Sequence, residues 1–122
     1  MINEKFLDVI SHEGVVALVT WGSNGVHVSN TWNSYLVIKD NRILIPAAGM
    51  NKTQDNIEQN GRIKATVGSR DVMGYRSMGT GFLVEGSVRF LDSGEEFDMM
   101  FEKFPFLNRV LEITPDLMKQ TL

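Results

Sequence analysis

The pattern of hydrophobic and polar positions predicts short strands joined by tight turns in the first half of the chain. Val15 to Trp21 is a continuous apolar run of strand length, and the Asn24-Gly25 pair after it is a strong hairpin signal. Val26 to Lys39 is rich in β-branched and aromatic residues and lacks Gly and Pro, which predicts one long strand. The Asp40-Asn41 pair predicts a turn into a strand over Arg42 to Pro46. Together these elements predict a three-stranded meander.

The second half of the chain continues the pattern of short strands. Further strands are predicted over Arg62 to Ser69, Thr80 to Leu91 and Val110 to Thr114, with a bulge or bend at Gly86. Asp71 to Gly79 is rich in Gly and Met and is predicted as a loop. About six strands without sustained strand-helix alternation indicate a mainly β fold, an antiparallel six-stranded barrel that is closed or nearly closed.

Hydrophobic spacing and capping signals predict three short helices. In the second of them Asn51 is the predicted cap, Gln54 is at the capping-box position and Gly61 is the terminator. The helices are predicted before Gly14, over Asn51 to Asn60, and from the capping box Ser93 to Glu96 as far as Pro105.

The long predicted strand is chemically unusual, because polar side chains occupy both of its faces around Trp32. These residues are Ser29, Asn30, Thr31, Asn33 and Ser34. A purely structural strand would alternate apolar and polar residues, and buried amides and hydroxyls cost free energy unless they are paired. Two interpretations are open. A ligand with hydrogen-bonding groups lies against this stretch, which we favour, or one face meets water and the other a neighbouring loop.

A second stretch, Gly49 to Asn56, has the composition of an anion site. A glycine turn leads into a helix that carries Lys52 and Thr53 in its first turn. Free backbone N–H groups and the helix dipole attract a phosphate there, while lysine and threonine add a charge and a hydroxyl. The spacing is not that of a Walker loop. The alternative is a solvated helix start with an exposed lysine.

Composition limits the possible partners and compartments. A chain of 122 residues predicts a single domain over residues 1–122. A net charge of −3 argues against nucleic acid or an anionic membrane as a partner, because those surfaces attract clustered Lys and Arg. The chain has no cysteine and two isolated histidines, so we expect no metal site. No signal-peptide pattern and no apolar run of about 20 residues is present, which predicts a cytoplasmic protein.

Three motifs together resemble the small flavin mononucleotide (FMN)-binding proteins of sulfate reducers. They are Asn30-Thr-Trp-Asn-Ser-Tyr35, Gly49-Met-Asn-Lys-Thr53 and Gly79-Thr-Gly-Phe82, and the resemblance covers essentially the whole chain. Those proteins are part of the pyridoxamine 5'-phosphate oxidase-like group. The resemblance implies a split antiparallel barrel, a homodimer, and FMN held noncovalently near the subunit boundary.

The resemblance also implies a set of cofactor-binding residues. Those implied for the phosphate and the ribityl chain are Asn30, Thr31, Lys52 and Thr53. Those implied beside the isoalloxazine ring are Trp32, Asn33, Ser34, Gly49 and Met50, with Thr80 and Gly81 as further contacts. The chain lacks the C-terminal Arg-bearing segment with which the true oxidases grip pyridoxal phosphate, so oxidation of pyridoxamine 5'-phosphate is not expected.

Two functions follow from this resemblance. The first is a redox flavoprotein that transfers electrons or reduces flavin or another small acceptor. Its electrons would come from a redox partner protein or NAD(P)H. The second is a module that stores, carries or senses FMN, or another phosphorylated planar ligand, without turnover. A homodimer is expected for either function, because a small barrel is filled by its own side chains and the flavin ring then needs a second wall. Apolar residues available for that wall are Met73, Tyr75, Met78, Leu117, Met118 and Leu122.

Overall fold

Seven strands form one antiparallel sheet in the computed structural model, which describes residues 1–122. The strands are β1 (Val15–Gly22), β2 (Gly25–Trp32), β3 (Val37–Lys39), β4 (Arg42–Ala47), β5 (Arg62–Met73), β6 (Met78–Leu91) and β7 (Arg109–Gln120). The helices are α1 (Glu4–Ile10), α2 (Asn51–Asn60) and α3 (Glu95–Lys103). None of the helices is long and apolar enough to cross a membrane. The prediction of a mainly β antiparallel fold is confirmed.

The sheet differs from the predicted barrel in strand number and closure. The strand order is β2-β1-β5-β6-β7-β4-β3, so the sheet has seven strands and its edge strands β2 and β3 do not pair with each other. The count of six is wrong because Val26 to Lys39 is interrupted by a 3₁₀ turn at Asn33–Tyr35. The predicted meander is wrong for the same reason, since β1 pairs with β2 at one edge while β4 pairs with β3 at the other.

The sheet nevertheless curls strongly. Only residues 33–36 separate the two edge strands, so Trp32 and Val37 lie at most about 18 Å apart. In a flat sheet the edges of seven strands would be about 29 Å apart. The interrupted strand therefore draws the two edges together, and the result is a split barrel.

The main core fills the inside of this curl. α1 contributes the fully buried Phe6 and Val9, and α2 contributes Ile57. The rings of Phe6 and Phe82 meet edge to face with centroids 5.5 Å apart. A second, smaller cluster lies under α3 around Met100. Burial of apolar area in these clusters stabilises the sheet that carries the candidate site.

Several turns have the predicted geometry. The β1–β2 hairpin turns at Ser23 and Asn24, followed by Gly25 with a φ angle of 97°, and Asp40 and Asn41 both have positive φ angles, of 52° and 60°, in the β3–β4 turn. The pairing of β6 with β7 shifts register next to Gly86, which confirms the predicted bulge. α2 has the predicted bounds and ends at Gly61 in a left-handed conformation.

Three strands are longer than predicted, and helix α3 has a different cap. Most of the predicted loop Asp71 to Gly79 belongs to β5 and β6, with a tight turn between them in which Gly74 N–H donates to Ser77 O. The predicted final strand, Val110 to Thr114, extends to Gln120 because β7 pairs with β6 over most of its length. The Ser93 capping box does not form, since the N-cap of α3 is Gly94 without a side-chain hydrogen bond.

Candidate functional site

The turn that joins β4 to α2 has an unusual backbone. Gly49 and Met50 are both left-handed, with φ angles of 76° and 55°. α2 begins directly afterwards at Asn51, and no side chain caps its N-terminus. The predicted cap at Asn51 and the capping box with Gln54 are therefore wrong. Asn51 is already helical, and Gln54 Nε2 donates to Glu58 Oε1 instead.

This backbone forms a concavity of N–H groups. A left-handed residue followed by a helical one turns successive N–H groups toward a common point, and Met50 and Asn51 have those conformations. The first helical hydrogen bond is made by Gln54 N–H to Met50 O, so the preceding amides of α2 have no helical acceptor. We call the N–H groups of Met50, Asn51 and Lys52 the amide nest. Together with the positive end of the helix dipole, the nest is suited to bind an anion.

Charge at the amide nest favours an anion as well. Lys52 is exposed, and none of the ion pairs in the chain involves it. The first turn of α2 has no acidic residue. Lys52 also borders a shallow pocket of about 220 Å³ between β2 and α2, together with His27 and Asp55. Its ammonium group is therefore available to a ligand.

The edge strand β2 supplies hydroxyl groups beside the nest. Ser29 and Thr31 point toward α2, and Ser29 Oγ lies 3.5 Å from Thr53 Oγ1. Thr31 and Thr53 are almost completely buried. The structure therefore places Ser29 and Thr31 on the face of β2 that meets Thr53, and Lys52 borders the pocket between the same two elements. Asn30 points to the opposite face of β2, where its Nδ2 makes a long contact of 3.4 Å with Val16 O.

The Nδ2 group of Asn33 donates its hydrogen bonds to other residues of the chain. Its side chain is 1% exposed, and Nδ2 donates to His12 O at 2.9 Å and Gly68 O at 3.0 Å. A methyl group at Gly14 would lie 2.9 Å from this amide, so the close approach requires a glycine there. For Asn33 the alternative interpretation, a neighbouring loop, accounts for the polar residue. Its buried Oδ1 has no partner.

Ser34 is likewise bonded within the chain, to Glu13. The Glu13 carboxylate accepts from Ser34 Oγ at 2.7 Å and from Ser34 N–H at 3.1 Å. These hydrogen bonds lower the pKa of Glu13 below its ordinary value of 4.5. The 3₁₀ turn is thus held on the segment that follows α1, where Asn33 binds His12 O and Ser34 binds the Glu13 carboxylate.

This contact gives a pH-dependent contribution to stability. A carboxylate with a lowered folded-state pKa stabilises the fold above the unfolded value of 4.5, and the contribution is lost as pH falls through the folded-state pKa. We expect Glu13→Gln to be less stable than wild type at pH 7 and the difference to shrink below about pH 4.5. Urea denaturation of both proteins at pH 7 and pH 3 measures this. A difference that is the same at both pH values would contradict the role of the charge.

Thr80 and Gly81 lie away from the amide nest, and Trp32 lies on the outer face of the sheet. Trp32 ends β2 on its outer face with 46% of its surface exposed. Thr80 and Gly81 are on β6, three strands from β2. Thr80 Oγ1 accepts from Gln120 Nε2 and lies 3.4 Å from Leu122 O. The structure therefore does not bring these two residues to the nest within one chain.

The surface pockets near Thr80 are likewise separate from the amide nest at α2. A pocket of about 370 Å³ is lined by residues that include Glu13, Gly68 and Thr80. The largest pocket, about 480 Å³, lies beside it at the β5–β6 hairpin, between residues 75–79 and 121–122. The site thus has a polar, cationic part at α2 and a separate cleft at the hairpin.

Two residues with evident roles here were missed from the sequence. Arg109 Nη2 donates to Gly49 O in the turn before α2, and Glu13 holds Ser34. Arg109 is 60 positions from Gly49 along the chain and reaches it only because β7 pairs with β4. No local sequence signal marks either contact.

The whole chain is similar in sequence to known proteins. Residues 2–121 match the family described as pyridoxamine 5'-phosphate oxidase. The chain belongs to the pyridoxamine 5'-phosphate oxidase family. It is 44% identical over 123 residues to the FMN-binding protein of Nitratidesulfovibrio vulgaris (strain Miyazaki F), with 100% of both proteins covered. The resemblance inferred from the three motifs is thereby confirmed.

Solved structures related to this member of the pyridoxamine 5'-phosphate oxidase family have the same fold. An FMN-binding protein from Syntrophomonas wolfei superposes with a TM-score of 0.71 at 22% identity, covering 98% of this chain and 85% of that one. The HupZ protein of Group A Streptococcus superposes with a TM-score of 0.78 at 15% identity, covering 98% and 94%. At these identities the similarity shows the fold alone.

Proposed function

We propose that this protein is a flavoprotein that binds FMN noncovalently, with the phosphate at the amide nest and Lys52. The observation that carries the proposal is the uncapped, left-handed entry into α2 beside an unpaired lysine. The identity of 44% with an FMN-binding protein over the full chain supports FMN as the cofactor. Other phosphorylated ligands would satisfy the nest equally well, but they would not account for that similarity.

The residues present match the parts of FMN. The phosphate carries close to two negative charges, which the nest and the Lys52 ammonium group balance. Ser29, which is half-buried beside α2, offers a hydroxyl group to a ribityl chain, and the buried Thr53 hydroxyl lies 3.5 Å behind it. The exposed indole of Trp32 offers an aromatic surface for contact with the isoalloxazine ring and shields that ring from water.

A redox role is the favoured use of this site. FMN supplies one- and two-electron chemistry when bound, so the protein needs no side-chain nucleophile or acid-base pair. The residues of the chain bind the flavin, orient it and set its potential through hydrogen bonds and charge near the ring. The electron donor would be a redox partner protein or NAD(P)H.

We further propose that the working unit is a homodimer. The outer-face patch consists of Val15, Val26, Val28 and Trp32, on strands β1 and β2, and all four side chains are largely exposed. Val15 and Trp32 are opposite each other across the two strands, so their side chains point the same way. β2 is also an edge strand with apolar side chains and a free row of backbone groups. Natural proteins cover such edges, and a second copy related by a two-fold axis would cover both the edge and the patch.

A shared site would also explain the division of the candidate residues. Thr80 and Gly81 lie far from the nest within one chain, as described above, while the implied cofactor contacts include both regions. A flavin at the boundary between two copies would have polar contacts at α2 and a wall supplied by the other copy. The tail of the chain is not free to supply this wall by itself, because Met118 packs on the main core of its own subunit.

Purified protein should be yellow and should release FMN on heating or in acid. Anaerobic reduction by NADPH, by reduced ferredoxin or by dithionite, followed by exposure to an acceptor, tests the redox role. We expect full reduction by at least one biological donor and reoxidation within seconds. Reduction by dithionite alone, with slow reoxidation, would instead support storage, transport or sensing of FMN. Colourless protein that binds no added FMN would contradict the proposal as a whole.

A further inference from the structure

Arg109, the first residue of β7, contacts the turn that forms the amide nest. Its Nη2 donates a hydrogen bond to Gly49 O, and its Cζ lies 4.8 Å from the centroid of the Phe90 ring. Arg109 is opposite Ala47 in the pairing of β7 with β4, so the sheet fixes the position of its backbone. Asn108 N–H donates to Ala47 O at 2.8 Å and fixes the end of β4 in the same way. The guanidinium group thus spans from a rigid sheet to a turn outside it.

The orientation of the Gly49–Met50 peptide decides the direction of one N–H group in the nest. All peptide bonds in the chain are trans, so the C=O of Gly49 and the N–H of Met50 point in opposite directions. Because Arg109 holds the carbonyl oxygen on its own side, the Met50 N–H is directed away from Arg109. That is the N–H group that opens the nest.

The turn needs such support from outside. A left-handed methionine is sterically unfavourable, and a backbone of this kind persists only when its surroundings hold it. The Met50 side chain packs against the main core, which provides one support. Arg109 provides the second, and it does so with its Nε buried and without a partner. A buried unpaired N–H costs free energy, so this arrangement is retained against a local cost.

We propose that Arg109 is a positioning residue for phosphate binding, which acts by holding the Gly49–Met50 peptide and has no contact with the ligand. The inference rests on the proposed FMN function and adds specificity to it, since Arg109 would favour FMN over riboflavin. A lysine at this position keeps the positive charge but loses the planar fork that reaches the carbonyl and lies over Phe90 at the same time. Arg109→Lys therefore separates positioning from charge.

The test compares dissociation constants of FMN and riboflavin for wild type, Arg109→Lys and Arg89→Lys. Arg89 is the matched control, because it borders the same surface pocket as Arg109 and binds Glu112 without contacting Gly49. We expect Arg109→Lys to weaken FMN about tenfold, the equivalent of one hydrogen bond from a charged donor. Riboflavin binding and the Arg89→Lys variant should change less than threefold. In the flavin-free protein, the amide NMR signals of Met50 and Asn51 should shift in Arg109→Lys only.

The outcomes separate the two levels of the proposal. If wild type binds FMN no more tightly than riboflavin, the phosphate site itself fails. If wild type prefers FMN and Arg109→Lys binds both ligands as tightly as wild type does, the phosphate site stands and the positioning role is overturned. Equal weakening of both ligands would also overturn it, because it would show a general structural role. A comparison of thermal unfolding of the three proteins identifies that case.

Discussion

Replacing Lys52 with alanine will weaken FMN binding by about 10- to 150-fold, corresponding to about 1.5–3 kcal/mol for hydrogen bonds to a charged group. Riboflavin binding will stay within about threefold of wild type. The reason is that Lys52 has no partner within the chain, so its loss removes a contact to phosphate and disturbs no internal ion pair. Titration of the flavin-free variant with each ligand, followed by flavin fluorescence, measures both values.

Lys103→Ala is the control for this prediction, because Lys103 is an exposed residue at the end of α3. It should leave both affinities unchanged. The contribution of Lys52 should also decrease with salt, since the ammonium group is exposed. If Lys52→Ala weakens FMN and riboflavin equally, the lysine does not bind the phosphate and the assignment of the nest is wrong.

Placing a charge in the outer-face patch will separate the proposed dimer. Val28 is 57% exposed and lies opposite Val19 on the outer face of the sheet. A Val28→Lys variant would bring an unpaired charge from each copy into an apolar contact, at a cost of several kcal/mol. We expect wild type to sediment at twice 13.7 kDa, and the variant to sediment as a monomer that binds FMN at least tenfold more weakly.

Leu7→Lys is the matched control, since Leu7 is an exposed leucine on α1, away from the outer-face patch. This variant should remain dimeric and retain FMN. Deleting residues 118–122 would be a poorer test, because β7 pairs with β6 in this region and the deletion would disturb the fold of the subunit itself. A wild-type monomer that binds FMN tightly would refute the shared site. If the Val28→Lys variant remains dimeric, the interface lies on another surface of the chain.

Local signals in the sequence predicted the turns and most elements of this fold. Asn24-Gly25 and Asp40-Asn41 have few alternatives to a tight turn, and Gly61 ends α2 because it adopts a left-handed conformation without strain. The pairing of strands distant in sequence was less accessible. β7 extends beyond its predicted end because β6 supplies partners as far as Gln120, and no local pattern encodes that support.

The candidate site was predictable in composition but not in geometry. Lys52 and Thr53 indicate a phosphate, and the structure places Thr53 Oγ1 3.5 Å from Ser29 Oγ of β2. Asn33 was assigned to the same polar stretch, yet its amide binds the end of α1 and β5, contacts that exist only after the chain has folded. The left-handed Met50 was equally hidden, because methionine rarely adopts that conformation and its sequence gives no sign of it.

A crystal structure of the protein with its flavin tests the central claim most directly, because it locates the phosphate. The phosphate should accept hydrogen bonds from the N–H groups of Met50, Asn51 and Lys52, with the Lys52 ammonium group within about 3 Å of a phosphate oxygen. The isoalloxazine ring should lie in contact with Trp32 and be covered by a second copy of the chain. A flavin bound with its phosphate at the β5–β6 hairpin or in solvent, and the amide nest free of ligand, would contradict the account.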